Sequence, residues 1–448
     1  MTKRPAWGIE PVPDRLRVLG LVDTGLLWCS LGMSLLVVVA GMALVPALSL
    51  RDALLAIAVG GLVGNLMLGL AALIGTDARV PGMVLLRAPL GRRGSYLATG
   101  LNVAQNVGWT VFELVVIAAA AGALSQRTFG FRGTWLWTLV FAAVTTALAL
   151  VGPVTFVREW VRKVAIWVVL ASLAYLTWWA LRHARVHALW ARPGAGGLSF
   201  WAGVDLMIAM PVSWLPLVAD YTRFTRSRGR SFAGTAVGYL IPNVWLYALG
   251  ALLLLSRGLG DATSLLTAIA GGGLAAGLAL LALGIDETKE PFANVYSAAV
   301  SLQNLLPRVP QRLLIVVVAA GSTAGALLVD LTHYASFLFL LGSFFVPLFG
   351  VLLADWLLAG AHYGRADVFD APAVRPGLLV AWLGGFCLYQ WLEPVGPGWW
   401  TSLVARTHPH ALPWGGASIP SFAASFALAA LLGLAARRLL PAASERPA

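Results

Sequence analysis

Residues 200–227 read FWAGVDLMIAMPVSWLPLVADYTRFTRS, an apolar stretch that is long enough to cross a membrane and carries two prolines near its middle. Pro211 and Pro216 each lack the backbone N–H that a helix needs, so a helix over this stretch is expected to break. A helix that is broken at membrane depth is tolerated only where its freed backbone groups are buried in protein or line a cavity. The stretch therefore predicts a bundle of membrane helices around an internal cavity.

The composition of the whole chain supports the same class. Hydrophobic residues make up 59% of the 448 residues and charged residues 11%, whereas soluble domains carry about 25% charged residues. Apolar runs recur from Leu21 almost to the C-terminus, and each is long enough to cross a bilayer about 30 Å thick. Cys29 and Cys387 both lie in apolar runs, so no disulfide framework is indicated.

We predict an all-α polytopic membrane protein with twelve transmembrane helices. The predicted spans are 21–48, 53–75, 94–124, 134–152, 161–181, 200–219, 233–255, 274–304, 312–331, 335–359, 376–392 and 417–440. An even number of spans places both termini on the same side of the membrane. Residues 1–20 and 441–448 are then the two terminal tails, and no cleaved signal peptide is indicated.

The basic residues predict which side that is. Of the 31 lysines and arginines, 22 fall on the side of the termini and 8 on the other side, with 182–199 as the discordant loop. This bias predicts cytoplasmic termini in a bacterial inner membrane. It also explains the net charge of +12, so we expect a lipid bilayer and no nucleic acid as a partner. The remaining basic residue, Lys289, lies in the middle of the eighth span.

Polar side chains inside spans are rare and predict functional sites. In the third span, Gln105, Trp109 and Glu113 recur every four residues and share one helix face, with Asn102 and Asn106 beside them. One interpretation is a set of polar contacts between helices. The other is a pocket wall, in which the indole stacks on a flat ring and the carboxylate accepts its N–H groups.

Other spans supply further candidates. In the sixth span, Ser213 and Trp214 are expected inside the break, and Asp205 is either a pocket acid or a pairing partner for another side chain. Broken spans near the bilayer midplane are a common binding-site device of secondary transporters. In the first span, small residues around Gly32 and Ser34 permit close approach or local unwinding.

The eighth span carries an ionisable cluster in its middle. Its members are Asp286, Glu287, Lys289 and Glu290, and Pro291 and Asn294 follow them. One interpretation ends the span at Asp286 and begins a new element at Pro291. The other buries the cluster within the bundle and pairs Lys289 with one of the acids.

Six stretches spread along the chain carry a family likeness. They are VLGLVDTGLLWCSLGMSLL at 18–36, VPGMVLLRAPLGRRGS at 80–95, GWTVFE at 108–113, PLVADYTRFTR at 216–226, ANVYSAAVSLQNLLP at 293–307 and LLGSFFVPLFGVLLADW at 340–356. With these stretches the chain resembles the nucleobase:cation symporter family, which includes cytosine permeases and hydantoin and allantoin transporters. WGIEPVP at 7–13, Glu113 and IDET at 285–288 look most like the branch assigned to hydroxymethylpyrimidine uptake.

The resemblance implies the fold of the sodium-coupled leucine transporter. Residues 21–181 would form a first inverted repeat of five spans, residues 200–359 the second repeat, and residues 376–440 two further spans. The resemblance also implies that Trp109 stacks on the substrate, that Glu113 replaces a glutamine of hydantoin-type members, and that Asn294 approximates a substrate-binding amide. The sixth-span aromatic would be Trp214 or a residue nearer Pro211.

The family's sodium site implies backbone carbonyls near Gly32 and Leu35 together with hydroxyls of the eighth span. This chain departs from that pattern, because Lys289 and Glu290 stand where the hydroxyls are expected. A Na⁺ site therefore stays open as a possibility beside proton coupling through Lys289 with Asp286, Glu287 or Glu290. No cofactor is expected.

These features predict a monomeric secondary transporter that imports a flat nitrogen heterocycle by cation-coupled alternating access. An aminopyrimidine such as hydroxymethylpyrimidine, another thiamine precursor or cytosine is the expected substrate. Uracil, a purine, hydantoin or allantoin is the alternative. The candidate substrate-binding residues are Ser34, Gln105, Asn106, Trp109, Glu113, Asp205, Pro211, Ser213, Trp214, Glu287 and Asn294. An intramembrane enzyme and a channel are the rival classes, but the sequence offers neither a nucleophile with its base nor a ring of like groups.

Overall fold

The computed structural model describes residues 8–151, 166–259, 262–329, 334–408, 410 and 412–439. The start of the predicted fifth span at 161–165 and the tail 441–448 lie outside the described residues, as do residues 1–7 of the N-terminal tail. Several basic residues used to predict the orientation also lie outside them, namely Lys3, Arg4, Arg158, Arg162, Lys163 and Arg446.

The described chain is built of helices. In its first half they are α1 (Leu21–Gly32), α2 (Leu35–Met42), α3 (Leu50–Ala78), α4 (Gly82–Leu85), α5 (Arg87–Leu90), α6 (Ser95–Phe129), α7 (Thr134–Val151), α8 (Ile166–His183) and α9 (Val186–Ala191). In its second half they are α10 (Phe200–Ser213), α11 (Val218–Thr222), α12 (Arg228–Arg257), α13 (Ala262–Gly271), α14 (Leu274–Glu287), α15 (Lys289–Leu305), α16 (Gln311–Ala326), α17 (Tyr334–Leu358), α18 (Arg365–Phe369), α19 (Pro376–Leu392), α20 (Gly398–Ala405) and α21 (Ser418–Leu439). A short 3₁₀ helix, Asp14–Leu16, precedes them.

A helix lies in each of the twelve intervals predicted to span the membrane. Among the described residues, six helices are long and apolar enough to cross a membrane by themselves, namely α3, α6, α7, α12, α17 and α21. The pair α1 and α2 makes a seventh candidate that is bent by 56° at its break. The chain is thus an all-helical membrane protein, and the count of twelve spans stays a prediction.

Three of the predicted spans are interrupted near their middle. The first span breaks between α1 and α2, where Ser34 accepts a hydrogen bond from the backbone N–H of Leu36 and begins the second helix. The sixth span breaks between Ser213 and Val218, and the eighth breaks at Thr288. The structure buries the ionisable cluster of the eighth span and pairs Lys289 with Asp286, in agreement with the second interpretation, and a new helix begins at Lys289 rather than at Pro291.

Pro211 does not break the sixth span, in contrast to the prediction. It lies inside α10, and the break lies two residues further on, ahead of Pro216. A proline leaves the carbonyl four residues before it without its helix donor. That carbonyl belongs to Met207, and the hydroxyl of Tyr247 from α12 lies 3.5 Å from it.

The broken helices are packed against long intact ones. α3 packs against both α10 and α12, and α12 also packs along α1 and α2. Gly60 and Gly64 of α3 allow close approach to α10, because a Cβ at either position would collide with Val204, Met207, Ile208 or Pro211. α15 packs against α6, which brings the third and eighth spans together.

Candidate functional site

A small cavity lies where the breaks of the first, sixth and eighth spans meet the third and seventh spans. Its lining residues are Leu31, Ser34, Leu36, Val37, Trp109, Glu113, Met210, Ser213, Trp214, Leu217, Tyr239, Glu290 and Asn294. The structure therefore brings seven of the candidates together from four predicted spans, namely Ser34, Trp109, Glu113, Ser213, Trp214, Glu290 and Asn294.

One indole of the cavity comes from the third span. Trp109 is 5% exposed and is fixed by edge contacts to two aromatic rings of α17. The ring centroids of Tyr334 and Phe337 lie 5.9 and 5.3 Å from its own. A rigid indole loses little conformational freedom when a flat ring stacks on it, so Trp109 suits such a role.

The other indole comes from the break of the sixth span. Trp214 follows the last residue of α10, and its Nε1 donates a hydrogen bond of 2.8 Å to the hydroxyl of Tyr239. Its ring also contacts Trp28 edge-on at 5.5 Å between centroids. Trp214, rather than Pro211, is thus the sixth-span residue that presents an aromatic ring to the cavity.

Two carboxyl groups line the cavity. Both oxygens of Glu113 accept hydrogen bonds from Nδ2 of Asn294, at 2.9 and 3.1 Å. The same nitrogen also donates to the backbone carbonyl of Glu290 at 3.2 Å. Asn294 therefore holds the third span to the eighth and fixes the side chain of Glu113. Within the described residues, Oε1 of Glu290 has no hydrogen-bond partner.

Glu287 does not line the cavity but accepts two hydrogen bonds from the break of the first span. Its Oε1 accepts from the hydroxyl of Ser34 at 2.6 Å, and its Oε2 accepts from the backbone N–H of Leu35 at 2.8 Å. These donors lie at the N-terminal end of α2, where the helix dipole favours a negative charge. Glu287 thus joins the first span to the eighth.

Lys289 reaches the same break from the other side. Its ammonium donates to the backbone carbonyl of Met33 at 3.0 Å and forms an ion pair with Asp286. Oε1 of Glu290 lies 4.0 Å away from it. The positive charge therefore lies against a carbonyl between Gly32 and Leu35, the segment from which a sodium ion was expected to take its ligands.

The other polar residues of the third span do not line the cavity, but Gln105 and Asn102 contact residues around it. Nε2 of Gln105 donates to Oδ1 of Asn102 at 2.7 Å and to the backbone carbonyl of Ser213 at 2.9 Å. Asn102 in turn donates to the hydroxyl of Ser301. Gln105 therefore satisfies a carbonyl at the end of α10. Asn106 is buried, and its amide atoms have no hydrogen-bond partner among the described residues.

Asp205 lies apart from the cavity. Its carboxylate accepts hydrogen bonds from the backbone N–H groups of Ala417 and Ser418, at 2.6 and 3.0 Å. These groups belong to the start of α21, so the structure favours a pairing role over a pocket acid. Pro211 likewise does not line the cavity, and its ring packs near Gly64 of α3.

Several lining residues carry no signal in the sequence that could have identified them. Tyr239 lies in α12 within an ordinary apolar pattern, and no spacing or charge marks it out from other buried tyrosines. Leu31, Leu36, Val37, Met210 and Leu217 are likewise apolar residues of helices that turn toward the cavity only because of the breaks. In the described part of the chain, no group of three or more His, Cys, Asp or Glu side chains could hold a metal ion.

The sequence of this chain is similar to those of known membrane permeases. A family model described as "Permease for cytosine/purines, uracil, thiamine, allantoin" matches residues 11–371. The cytosine permease of Escherichia coli is 23% identical over 400 residues, which cover 86% of this chain and 89% of that protein. The hydantoin permease of Microbacterium maritypicum is 22% identical over 390 residues, which cover 82% and 78%.

Solved structures share the fold. A nucleobase-cation-symport-1 family transporter, in a closed conformation with bromovinylhydantoin bound, matches with a TM-score of 0.78. The match covers 97% of this chain and 95% of that one at 18% identity. A Na⁺-coupled sialic acid symporter matches with a TM-score of 0.60 at 12% identity, covering 96% and 92% of the two chains. At these identities the likeness shows the fold and not the substrate.

Proposed function

We propose a substrate class for this chain, which belongs to the family of permeases for cytosine/purines, uracil, thiamine and allantoin. Permeases move solutes across a membrane, so the rival interpretation as an intramembrane enzyme is excluded. Within the family we propose an importer of a flat nitrogen heterocycle that carries an exocyclic amine. Hydroxymethylpyrimidine is the substrate we expect, with cytosine as the second candidate because of the likeness to a cytosine permease.

One observation carries this proposal, namely that Trp109, Trp214 and Glu113 line a single cavity. Two indoles suit a flat aromatic ring, and a carboxylate offers two acceptor oxygens to its edge. The exocyclic amine is a donor that uracil and hydantoin lack, so an aminopyrimidine matches Glu113 better than these compounds, whose edges alternate N–H groups with carbonyls. Asn294 holds the carboxylate in place and leaves further lone pairs for a substrate.

The proposed transport mechanism is alternating access around this cavity. The breaks in the first and sixth spans lie at corresponding positions of the two proposed repeats, residues 21–181 and 200–359. Discontinuous helices of this kind let each repeat move around a fixed site. We further propose twelve spans in a monomer, with residues 376–440 as the last two spans and both termini in the bacterial cytoplasm.

The proposed coupling ion is a proton rather than sodium. The ammonium of Lys289 contacts the carbonyl of Met33 and the carboxylate of Asp286, where it provides the positive charge that a sodium ion would otherwise supply. A second cation at this place would meet direct repulsion from the ammonium. Na⁺ coupling through carbonyls near Gly32 and Leu35 is the alternative.

The decisive experiment is solute counterflow in proteoliposomes loaded with unlabelled hydroxymethylpyrimidine. Uptake of the radiolabelled compound above that of protein-free liposomes is the expected result. Competition by unlabelled cytosine, uracil, thiamine, hydantoin and allantoin then ranks the substrates. Counterflow with hydantoin or allantoin but with neither aminopyrimidine would overturn the proposed substrate class.

Coupling is tested in the same liposomes with imposed gradients. We expect accumulation to follow a pH gradient, acidic outside, and to be unchanged when sodium is replaced by choline. Accumulation that requires a sodium gradient and ignores the pH gradient would reject proton coupling, whatever the substrate.

A further inference from the structure

Four carboxyl groups and one ammonium group are buried together beside the cavity. Asp286, Glu287, Lys289 and Glu290 surround the break of the eighth span, and Glu113 reaches them from the third; none is more than 6% exposed. Lys289 compensates Asp286, and Glu287 is stabilised by the donors and the dipole at the start of α2. The two carboxyl groups that remain both line the cavity.

Glu113 and Glu290 have more acceptor capacity than the protein satisfies. The two oxygens of Glu113 share one donor nitrogen, that of Asn294. Oε1 of Glu290 has no hydrogen-bond partner among the described residues, and the ammonium of Lys289 lies 4.0 Å from it. Two carboxylates that are buried beside one cavity repel each other and are poorly exposed to solvent, so the pair requires a proton or a cation.

We propose that the cavity takes its heterocycle as a ring-protonated monocation. The protonated ring nitrogen and the exocyclic amine donate to the carboxylates of Glu113 and Glu290, in charge-assisted hydrogen bonds. Trp109 and Trp214 add the attraction of their ring faces for a delocalised cation. This inference rests on the proposed function and specifies the charge of its substrate. The coupled proton then enters on the substrate itself.

The electrostatic surroundings of Glu290 agree with this assignment. The charged and titratable groups that face it are Asp286, Glu287 and Lys289 around its own break, Glu113 of the third span, Tyr221 of the sixth and Tyr239 of the seventh. Three of these six are carboxyl groups and one is an ammonium group. The balance favours a positive charge on any ligand that reaches Glu290.

The test uses two ligands of nearly equal shape, hydroxymethylpyrimidine and its 6-fluoro derivative, whose ring nitrogen is much less basic. Binding to the purified full-length protein is measured by calorimetry over a pH series that brackets the pKa of hydroxymethylpyrimidine. Between the pKa values of the two ligands we expect the parent compound to bind at least about tenfold more tightly than the fluoro derivative, and above its own pKa we expect the affinity of the parent to fall about tenfold for each pH unit. Equal affinities at every pH would overturn the inference and leave the proposed function intact. Binding of neither ligand would overturn both.

Glu290→Gln provides the matched variant. We expect it to reduce the tenfold preference for the more basic ligand to less than about twofold. Glu393→Gln, a carboxyl group that follows the last residue of α19 outside the cavity, should keep the preference. An equal loss of affinity for both ligands in Glu290→Gln would contradict the inference. Should Glu290→Gln fail to fold, the pH series on the unaltered protein decides alone.

Discussion

Glu113 is the side chain on which the substrate choice depends. Replacing it by glutamine keeps the shape and one acceptor oxygen but removes the charge and one acceptor. We expect Glu113→Gln to weaken hydroxymethylpyrimidine binding by about 10- to 100-fold, because a hydrogen bond to a charged group contributes about 1.5–3 kcal/mol. A calorimetric or thermal-shift titration measures the change.

The same variant should bind hydantoin and uracil no more weakly than the unaltered protein, since glutamine matches their mixed edges. Unchanged affinity for every aminopyrimidine would remove Glu113 from the binding site. Glu393→Gln is the control for a carboxyl group outside the cavity.

Loss of Lys289 should lower the stability of the protein strongly. Lys289→Met leaves the buried carboxylate of Asp286 without its cation, and breaking a buried ion pair in this way costs about 3–5 kcal/mol. We expect a lower thermal unfolding midpoint in detergent and a loss of transport. The double variant Lys289→Met/Asp286→Asn should regain part of the stability, and a midpoint no higher than that of Lys289→Met would contradict the pairing.

At this scale the sequence predicted the polar members of the cavity and missed the apolar ones. Trp109 and Glu113 could be found because a carboxylate and an indole on one face of an apolar helix are rare. Tyr239 could not be found, because a buried tyrosine has the same local pattern whether it faces a cavity or a neighbouring helix. For Asp205, a carboxylate inside a span indicates that a partner exists. It does not indicate that this partner is the start of α21.

Among the elements, the break of the sixth span depends on a side chain from another helix. Gln105 donates to the carbonyl of Ser213, the last residue of α10. We expect Gln105→Leu to destabilise the protein by about 1–3 kcal/mol, the cost of an unpaired buried acceptor. Its thermal unfolding midpoint should fall, and substrate affinity should fall with it because Trp214 follows directly.

Asn106→Leu is the matched control, since it makes the same kind of change at the next residue of α6. The amide atoms of Asn106 have no hydrogen-bond partner among the described residues, so this variant should unfold within a few degrees of the unaltered protein. Equal destabilisation by the two variants would show that Gln105 does not support the break.

The breaks themselves were only partly predictable from the sequence. Two prolines indicate an interruption, but Pro211 remains helical while the chain breaks ahead of Pro216. The interruption at Thr288 comes just ahead of Pro291, which leaves the carbonyl of Glu287, the last residue of α14, without its helix donor. A proline therefore indicates that a helix is interrupted nearby without giving the residue at which it ends.

For the whole molecule, one prediction to test is its orientation in the membrane, with both termini in the cytoplasm. A fluorescent reporter that matures only in the cytoplasm should be bright when fused after the last residue and dark when inserted between Gly196 and Gly197, in the loop ahead of α10. Alkaline phosphatase at the same two positions should give the inverse pattern. Activity of the phosphatase at the C-terminus would reverse the proposed orientation.

The architecture was more predictable than the site, because apolar length and charge bias are properties of the whole chain. The described helices fall in all twelve predicted intervals. The arrangement of these helices around a cavity could not be obtained from hydrophobic periodicity, since a helix that is apolar on every side does not specify its neighbours. The resemblance to a known family supplied that arrangement, and the shared fold supports it.

The contact between Asp205 and α21 has a consequence for the biogenesis of the protein. The amides that bind this carboxylate lie 212 and 213 residues further along the chain, so the ribosome makes them only after nearly all the other helices. Until then the sixth span carries a carboxylate that lacks its final donors, and a charged side chain within a span is costly without a partner. The last helix, which lies beyond the segment that matches the family, therefore supplies the donors that Asp205 needs.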